Sequence, residues 1–199
     1  MIVATEGVSC TGKSTLATEL GRRLGYPVIG CYRHVTGNPD ALGAPEARSA
    51  AELLAALEAH LVVEQTRNER AREAVATYGG VVLDRSADTL LAHLSAIDAL
   101  HGFGALTAGR HRVKEAVAAG AVAVPDLTLL LTARPDTLAE RARERPGLPA
   151  IYYNQAFAEH FARHFEEPVA ARVVRVDADL PALKVAQEAL GHIADAGRA

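Results

Sequence analysis

Tryptophan is absent from this 199-residue chain, methionine occurs once, and there are only two cysteines, Cys10 and Cys31. Two cysteines cannot build a disulfide framework, which points to an apolar core and a reducing, cytoplasmic setting. Lysine is also scarce: Lys13, Lys114 and Lys184 stand against a background in which every other strong base is Arg. A Lys kept at a special place is therefore informative. The net charge is only −3, so no basic field draws in nucleic acid or an anionic membrane. No apolar run approaches the roughly 18 residues of a membrane span, and the opening MIVATEG lacks the cationic flank of a signal peptide. What is present is 49% hydrophobic and 23% charged residues, too apolar for disorder, with 16 Gly and 9 Pro, too few for a collagen or linker. A single domain over residues 1–199 is expected.

Strand and helix patterns alternate, which argues for βαβ units and a parallel sheet. Ile2–Thr5, Pro27–Cys31, Val81–Asp84, Asp126–Thr132 and Arg172–Asp177 read as five strands. Helical spacing of Leu16, Leu20 and Leu24 marks a helix from Ser14, closed by Gly25. A loop is expected over 33–45, then a long helix carrying Leu53, Leu57 and Leu61, ending near Gly79–Gly80. Further helices are expected around 90–100, over 110–120, from Pro135 to Arg145, over 152–167, and around 183–193. The fold class that follows is α/β in three layers, a five-stranded sheet with helices on both faces.

Gly7-Val8-Ser9-Cys10-Thr11-Gly12-Lys13-Ser14 fits G-x-x-x-x-G-K-[ST], and it lies between a strand and a helix as such a loop must. A polyphosphate needs a ring of backbone N–H donors, and glycines let the chain curl closely around it. The helix that follows aims its first amides and its dipole at the same point. Lys13 would bridge the β- and γ-phosphates, and the Ser14 hydroxyl would ligate Mg²⁺.

Asp84 ends an apolar strand, the place of a carboxylate that holds Mg²⁺ beside such a loop; the alternative is a helix N-cap. Arg85 follows and could fork onto an acceptor phosphate, or make a surface ion pair. Arg141 and Arg145 are four apart on an expected helix and share a face, so they could close over a transferring phosphoryl; paired with Glu140 and Glu144 they would be a solvated basic face. Cys10 reads as a small packing residue more readily than a reactive thiol. No Cys/His cluster has zinc spacing, and no Gly-x-Ser-x-Gly elbow suggests a hydrolase.

These residues resemble the thymidylate kinase and deoxynucleoside kinase superfamily of P-loop kinases over most of the chain. Thr5-Glu6-Gly7 through Thr15 is similar to the family's Glu-Gly entry into its phosphate loop. Asp84-Arg85-Ser86 with Asp88 and Thr89 resembles its Asp-Arg motif, Pro125–Leu131 the strand before its LID, and Val176-Asp177-Ala178 the strand end whose loop covers adenine. The resemblance implies a parallel sheet of order 2-3-1-4-5, a short LID at about 141–151, and transfer of the ATP γ-phosphoryl with Mg²⁺. It implies a cytoplasmic, thymidylate kinase-like enzyme whose partner is a small-molecule acceptor, a nucleotide, and a homodimer through the long helices. Gly7, Ser9, Cys10, Thr11, Gly12, Lys13, Ser14 and Thr15 would bind donor phosphates, Asp177 and Ala178 the adenine, and Ser14 and Asp84 the metal. Lys13, Asp84, Arg85, Arg141 and Arg145 would be catalytic. Arg33, His60, Arg85 and His93 would face the acceptor.

The chain departs from thymidylate kinases mainly at the acceptor side. Ser9 stands where they carry Asp, Cys10 where Gly is common, and His34-Val35-Thr36-Gly37 where Glu-Pro-Gly-Gly follows the Arg. His93-Leu94 replaces a Tyr-Gln pair. Deoxynucleoside kinases place a catalytic Glu after the second strand, where this chain has Arg33-His34. A hydroxyl acceptor benefits from a base, whereas a phosphate acceptor mainly needs cations. The sequence thus favours a phosphorylated acceptor over a nucleoside or other hydroxyl, for which Asp84 or His34 could serve as base. A nucleotide-binding switch or an inactive relative is the reading from a different class.

Overall fold

In the computed structural model, which describes residues 1–145 and 147–198, the chain alternates strand and helix from the first residues onward. Strand β1 (Ile2–Glu6) leads to helix α1 (Lys13–Leu24), β2 (Val28–Ile29) and a one-turn helix α2 (Tyr32–Val35). The long helix α3 (Ala50–Tyr78) returns to β3 (Val81–Asp84), followed by α4 (Ala87–His101) and α5 (Leu106–Ala118). Then come β4 (Leu127–Thr132), α6 (Pro135–Arg143), α7 (Gln155–Arg163), β5 (Val173–Asp177) and α8 (Ala182–Ala196). Three short 3₁₀ turns interrupt the connections, at Pro39–Leu42, Ala150–Tyr153 and His164–Glu166.

All strands are parallel, in the order β2-β3-β1-β4-β5, as expected. Side-chain alternation sends neighbours to opposite faces. Val3, Val82, Leu127, Leu129 and Leu131 pack under α1 and α8 with Leu16, Leu20 and Ile193. Ala4, Val81 and Leu83 face the other way, toward Ala71 and Ala74 of α3. Leu130 joins the larger cluster made by α3, α4, α5 and α7, with Leu57, Leu94, Ile97 and Phe157. Coverage on both faces explains why β4 is buried from Leu127 to Leu131, Thr128 included, and each of its Leu side chains contributes about 1.5–3 kcal/mol on burial. No helix among the described residues is long and apolar enough to cross a membrane.

Several boundaries differ from the expectation. Strand β2 is two residues rather than five, because the chain turns at Gly30 into α2. The expected loop over 33–45 contains helical turns, and α5 begins four residues early at Leu106, where Asp98 Oδ1 and Oδ2 accept the Ala105 and Leu106 amides (2.7 and 3.2 Å). The expected helix over 152–167 is three pieces, since Asn154 caps α7 by accepting the Phe157 N–H (3.2 Å) and restarts it. Helix α6 stops at Arg143, so Arg145 lies beyond it and does not share a helical face with Arg141. Pro146, within the expected LID, lies outside the described residues.

Candidate active site

The loop between β1 and α1 is shaped by conformations that side chains resist. Gly7 has φ 135°, and a Cβ there would meet the Leu131 carbonyl oxygen at 2.5 Å. Gly12 (φ 92°) is the N-cap of α1 and offers no side-chain cap, so the first amides of the helix stay available to an anion. Cys10 adopts φ 67° without being glycine, at a cost of order 1 kcal/mol. Thr11 Oγ1 donates to the Val8 carbonyl (2.9 Å), and Lys13 Nζ donates to that same oxygen (2.6 Å) with Thr11 Oγ1 at 3.4 Å. Burial, with the Arg85 charge second, pulls the Lys13 ammonium down to about 7.

Asp84 sits at the end of β3, buried, with Oδ2 accepting from Ser14 Oγ (2.6 Å) while Oδ1 has no partner among the described residues. A buried carboxylate oxygen without a donor, next to a hydroxyl, suits a hard cation that takes oxygen ligands. Ser14 and Asp84 therefore fit Mg²⁺. Thr15 is exposed one position on. Ser86, rather than Asp84, is the N-cap of α4, its Oγ accepting the Asp88 N–H (3.2 Å).

Behind this edge, Glu6 is fully buried and accepts from the Ser86 N–H (2.6 Å), Ser86 Oγ (2.8 Å) and Thr89 Oγ1. These bonds tie the phosphate loop to the Asp84–Arg85 turn, and burial pushes the Glu6 carboxyl up. Arg85 holds φ 73° while its N–H donates to the Thr5 carbonyl (3.1 Å). That leaves its guanidinium directed toward Thr89 (3.5 Å) and a cavity of about 530 Å³.

That cavity gathers Arg33, His60, Arg85, His93, Arg145 and Tyr152, so four residues expected at the acceptor side do meet there. Among the described residues lining it there is no Asp or Glu. His93 packs against Tyr152 (6.1 Å between centroids) and edge-on against Phe157 (5.5 Å). Burial, then the neighbouring His60, lowers His93 to about 4, so it is neutral at ordinary pH. His60 is lowered too, chiefly by burial, with Nδ1 2.7 Å from the Ala56 carbonyl.

Arg141 is not poised over this cavity. Its Nη2 donates to the Ala178 carbonyl (2.8 Å) and its Nη1 to the Cys10 carbonyl (3.4 Å), linking the phosphate loop to the β5–α8 turn. Ala178 is buried there and donates to the Thr132 carbonyl (2.8 Å), while Asp177 Oδ1 accepts the Asp179 N–H (2.9 Å). Arg145 is exposed but lines the cavity.

Sequence reasoning overlooked Glu64 and Arg67, both fully buried on α3. Arg67 donates to Glu64 Oε2 (2.6 Å), to the Gly30 carbonyl (3.2 Å), and to the Asp84 and Arg85 carbonyls (3.1 and 2.6 Å). Its guanidinium also lies over the Tyr32 ring, 4.4 Å from the centroid. The signal was available: the stripe Leu53, Leu57, Leu61 continues through Glu64, Asn68 and Ala71, placing polar residues on a buried face. Asp88, read from the sequence only as part of the Asp-Arg motif, is buried, and its Oδ1 accepts the Val169 N–H (2.6 Å) and lies 2.8 Å from His164 Nε2.

No family model and no curated protein matches this sequence. Its fold does match solved structures of deoxyadenosine kinase from M. mycoides. The structure with dCMP and dCDP is 14% identical, with a TM-score of 0.73 over 98% of this chain and 100% of that one. The structure with dATP is 16% identical, with a TM-score of 0.69 over 97% and 99%. The structure with dCTP is 13% identical, with a TM-score of 0.63 over 98% and 100%. At such identities the likeness is one of fold, and the fold is that of P-loop kinases.

Proposed function

We propose that the chain transfers the γ-phosphoryl of ATP, with Mg²⁺, to a small acceptor that already carries a phosphate, a nucleoside monophosphate or a close relative. The acceptor half of this reading rests on one observation: the cavity beside the phosphate loop is lined by Arg33, Arg85 and Arg145 and by no carboxylate among its described residues. Three arginines with no carboxylate beside them among the described lining residues suit an anionic ligand. A volume of about 530 Å³ is ample for a nucleotide.

In this reading the Gly7–Ser14 amides bind the donor phosphates, and Lys13 exchanges the Val8 carbonyl for a bridging phosphate oxygen. Ser14 and Asp84 would hold Mg²⁺, which supplies positive charge to the phosphate oxygens. Arg85 holds the acceptor phosphate in line, and Arg145 adds charge from the LID side. Arg141 acts as a strut between the loop and the adenine-side turn at Asp177–Ala178. Neutral His60 and His93 offer hydrogen bonds to a base or sugar, with Tyr152 beside them as a stacking face. Because phosphoryl transfer needs little covalent chemistry, positioning and charge carry the rate.

A hydroxyl acceptor, such as a nucleoside, is the second reading. The fold neighbours are named deoxyadenosine kinases, and the unpartnered Asp84 Oδ1 could take a proton. A coupled ADP-release assay over matched acceptors with and without a 5′-phosphate separates the two. The first reading requires turnover that depends on the 5′-phosphate, and turnover with nucleosides alone would replace it. Binding of a non-hydrolysable ATP analogue without acceptor-dependent ADP release would point to a nucleotide switch or inactive relative.

A further inference from the structure

We propose that Cys31, His34 and Asp84 form a second, mixed-donor metal site, one that takes a borderline-soft divalent cation, Zn²⁺. A thiol sulfur, an imidazole nitrogen and a carboxylate oxygen here lie within 4.8 Å of one another. Cys31 Sγ is 3.3 Å from His34 Nδ1. Ligands bonded to a tetrahedral zinc at about 2.0–2.3 Å sit roughly 3.3–3.8 Å apart, so this pair already has the spacing and the carboxylate is within a small movement of it.

The chain builds the cluster for local reasons. Cys31 is the N-cap of α2 and His34 lies three residues on, so one helical turn puts both on the same side. The parallel register Ile29↔Leu83 places the ends of β2 and β3 next to each other, which brings Asp84 alongside Cys31. Gly30 has no side chain; a Cβ there would stand 3.1 Å from the His34 Cβ, so its absence lets the imidazole fold back. Asp84 is 3% exposed and its Oδ1 has no hydrogen-bond partner among the described residues, an acceptor held ready at the floor of the cluster.

The donor set decides the ion. Mg²⁺ takes oxygen ligands, whereas sulfur and imidazole nitrogen select zinc and its neighbours. Three protein ligands leave a fourth position for water or a phosphate oxygen. Asp84 is shared with the Mg²⁺ pair named above, so a zinc ion here would take that carboxylate away and inhibit transfer. This consequence rests on the kinase reading; the binding itself does not.

The test is zinc affinity of the full chain without nucleotide, measured against a chromophoric chelator, with Co²⁺ as a spectroscopic stand-in. One ion per chain is expected, with a thiolate-to-cobalt charge-transfer band. Cys31→Ser and His34→Ala each weaken binding by at least about tenfold, since losing a direct ligand costs no less than losing its supporting partner. Cys31→Ser also abolishes the band, and Cys10→Ser leaves both unchanged. Cys31 is half-buried and His34 exposed, so circular dichroism should show folded variants. Undiminished zinc affinity in Cys31→Ser, or loss of the band in Cys10→Ser, overturns the site. In a second arm, zinc inhibits ADP release, and excess Mg²⁺ relieves it. If the kinase reading fails, that arm is silent while the binding arm still decides.

Discussion

In the proposed reading, residues 7–14 are a donor wall that binds through main-chain amides, whereas the acceptor wall is the side chains of Arg33, His60, Arg85 and His93, drawn from four separate stretches of the chain. The first wall is specified by local backbone geometry: two glycines at positive φ, a close approach to Leu131, and a helix start without a side-chain cap. The second depends on how α2, α3 and α4 dock on the sheet. If the proposed reading holds, a surface made of backbone recognises only what every donor shares, its phosphates. A surface made of side chains can change ligand by substitution while the fold persists.

The sharpest way to break this contrast is to remove the one side chain the donor wall relies on. Lys13→Ala should lower transfer by about a thousandfold, as losing a principal charge-stabilising donor does, with an unchanged melting temperature. Normal turnover in that variant would remove Lys13 from its role. Next in size, Arg67→Ala should cost about 3–5 kcal/mol in urea unfolding, because it leaves Glu64 buried and unpaired. A cost near zero would mean that the acceptor wall does not depend on that pair. Arg85→Ala should raise acceptor KM by about tenfold or more while donor KM moves little. Equal changes in both would put Arg85 on the donor side.

The smallest expected effect is a pH dependence confined to the donor wall. Lys13 is lowered to about 7 by burial first and Arg85 second. Triphosphate binding would restore its charged form, so binding takes up a proton above that pH. Affinity for adenylyl imidodiphosphate should then fall with rising pH, by at most about tenfold per unit over roughly pH 7.5–9, where the phosphates are already ionised. Calorimetry in buffers of different ionisation enthalpy reads that uptake directly, and no uptake would show that Lys13 is already charged.

The same contrast explains what could be read from the sequence. The five strands and the glycine loop were legible because each follows from short-range patterns: an apolar run, a glycine spacing, a Lys in a chain that avoids Lys; the order of the strands came only with the family resemblance. Arg141 and Arg145 were read onto one helical face because helical spacing alone does not show that α6 ends at Arg143. The Glu64–Arg67 pair was hidden because charged residues at helical spacing are usually solvated, and only tertiary packing sends these inward. The Cys31–His34–Asp84 cluster was invisible to motif spacing, since two ligands come from one turn and the third from a strand fifty residues later.

The way Arg67 makes its contacts also bears on substitution. Three of its bonds go to the carbonyls of Gly30, Asp84 and Arg85, none of which depends on those residues' side chains. The ends of β2 and β3 are thus clamped to α3 through atoms that every amino acid supplies. Residues 84 and 85 can therefore be exchanged with their segment still anchored, so ligand preference at this edge is free to drift while the scaffold beneath it holds.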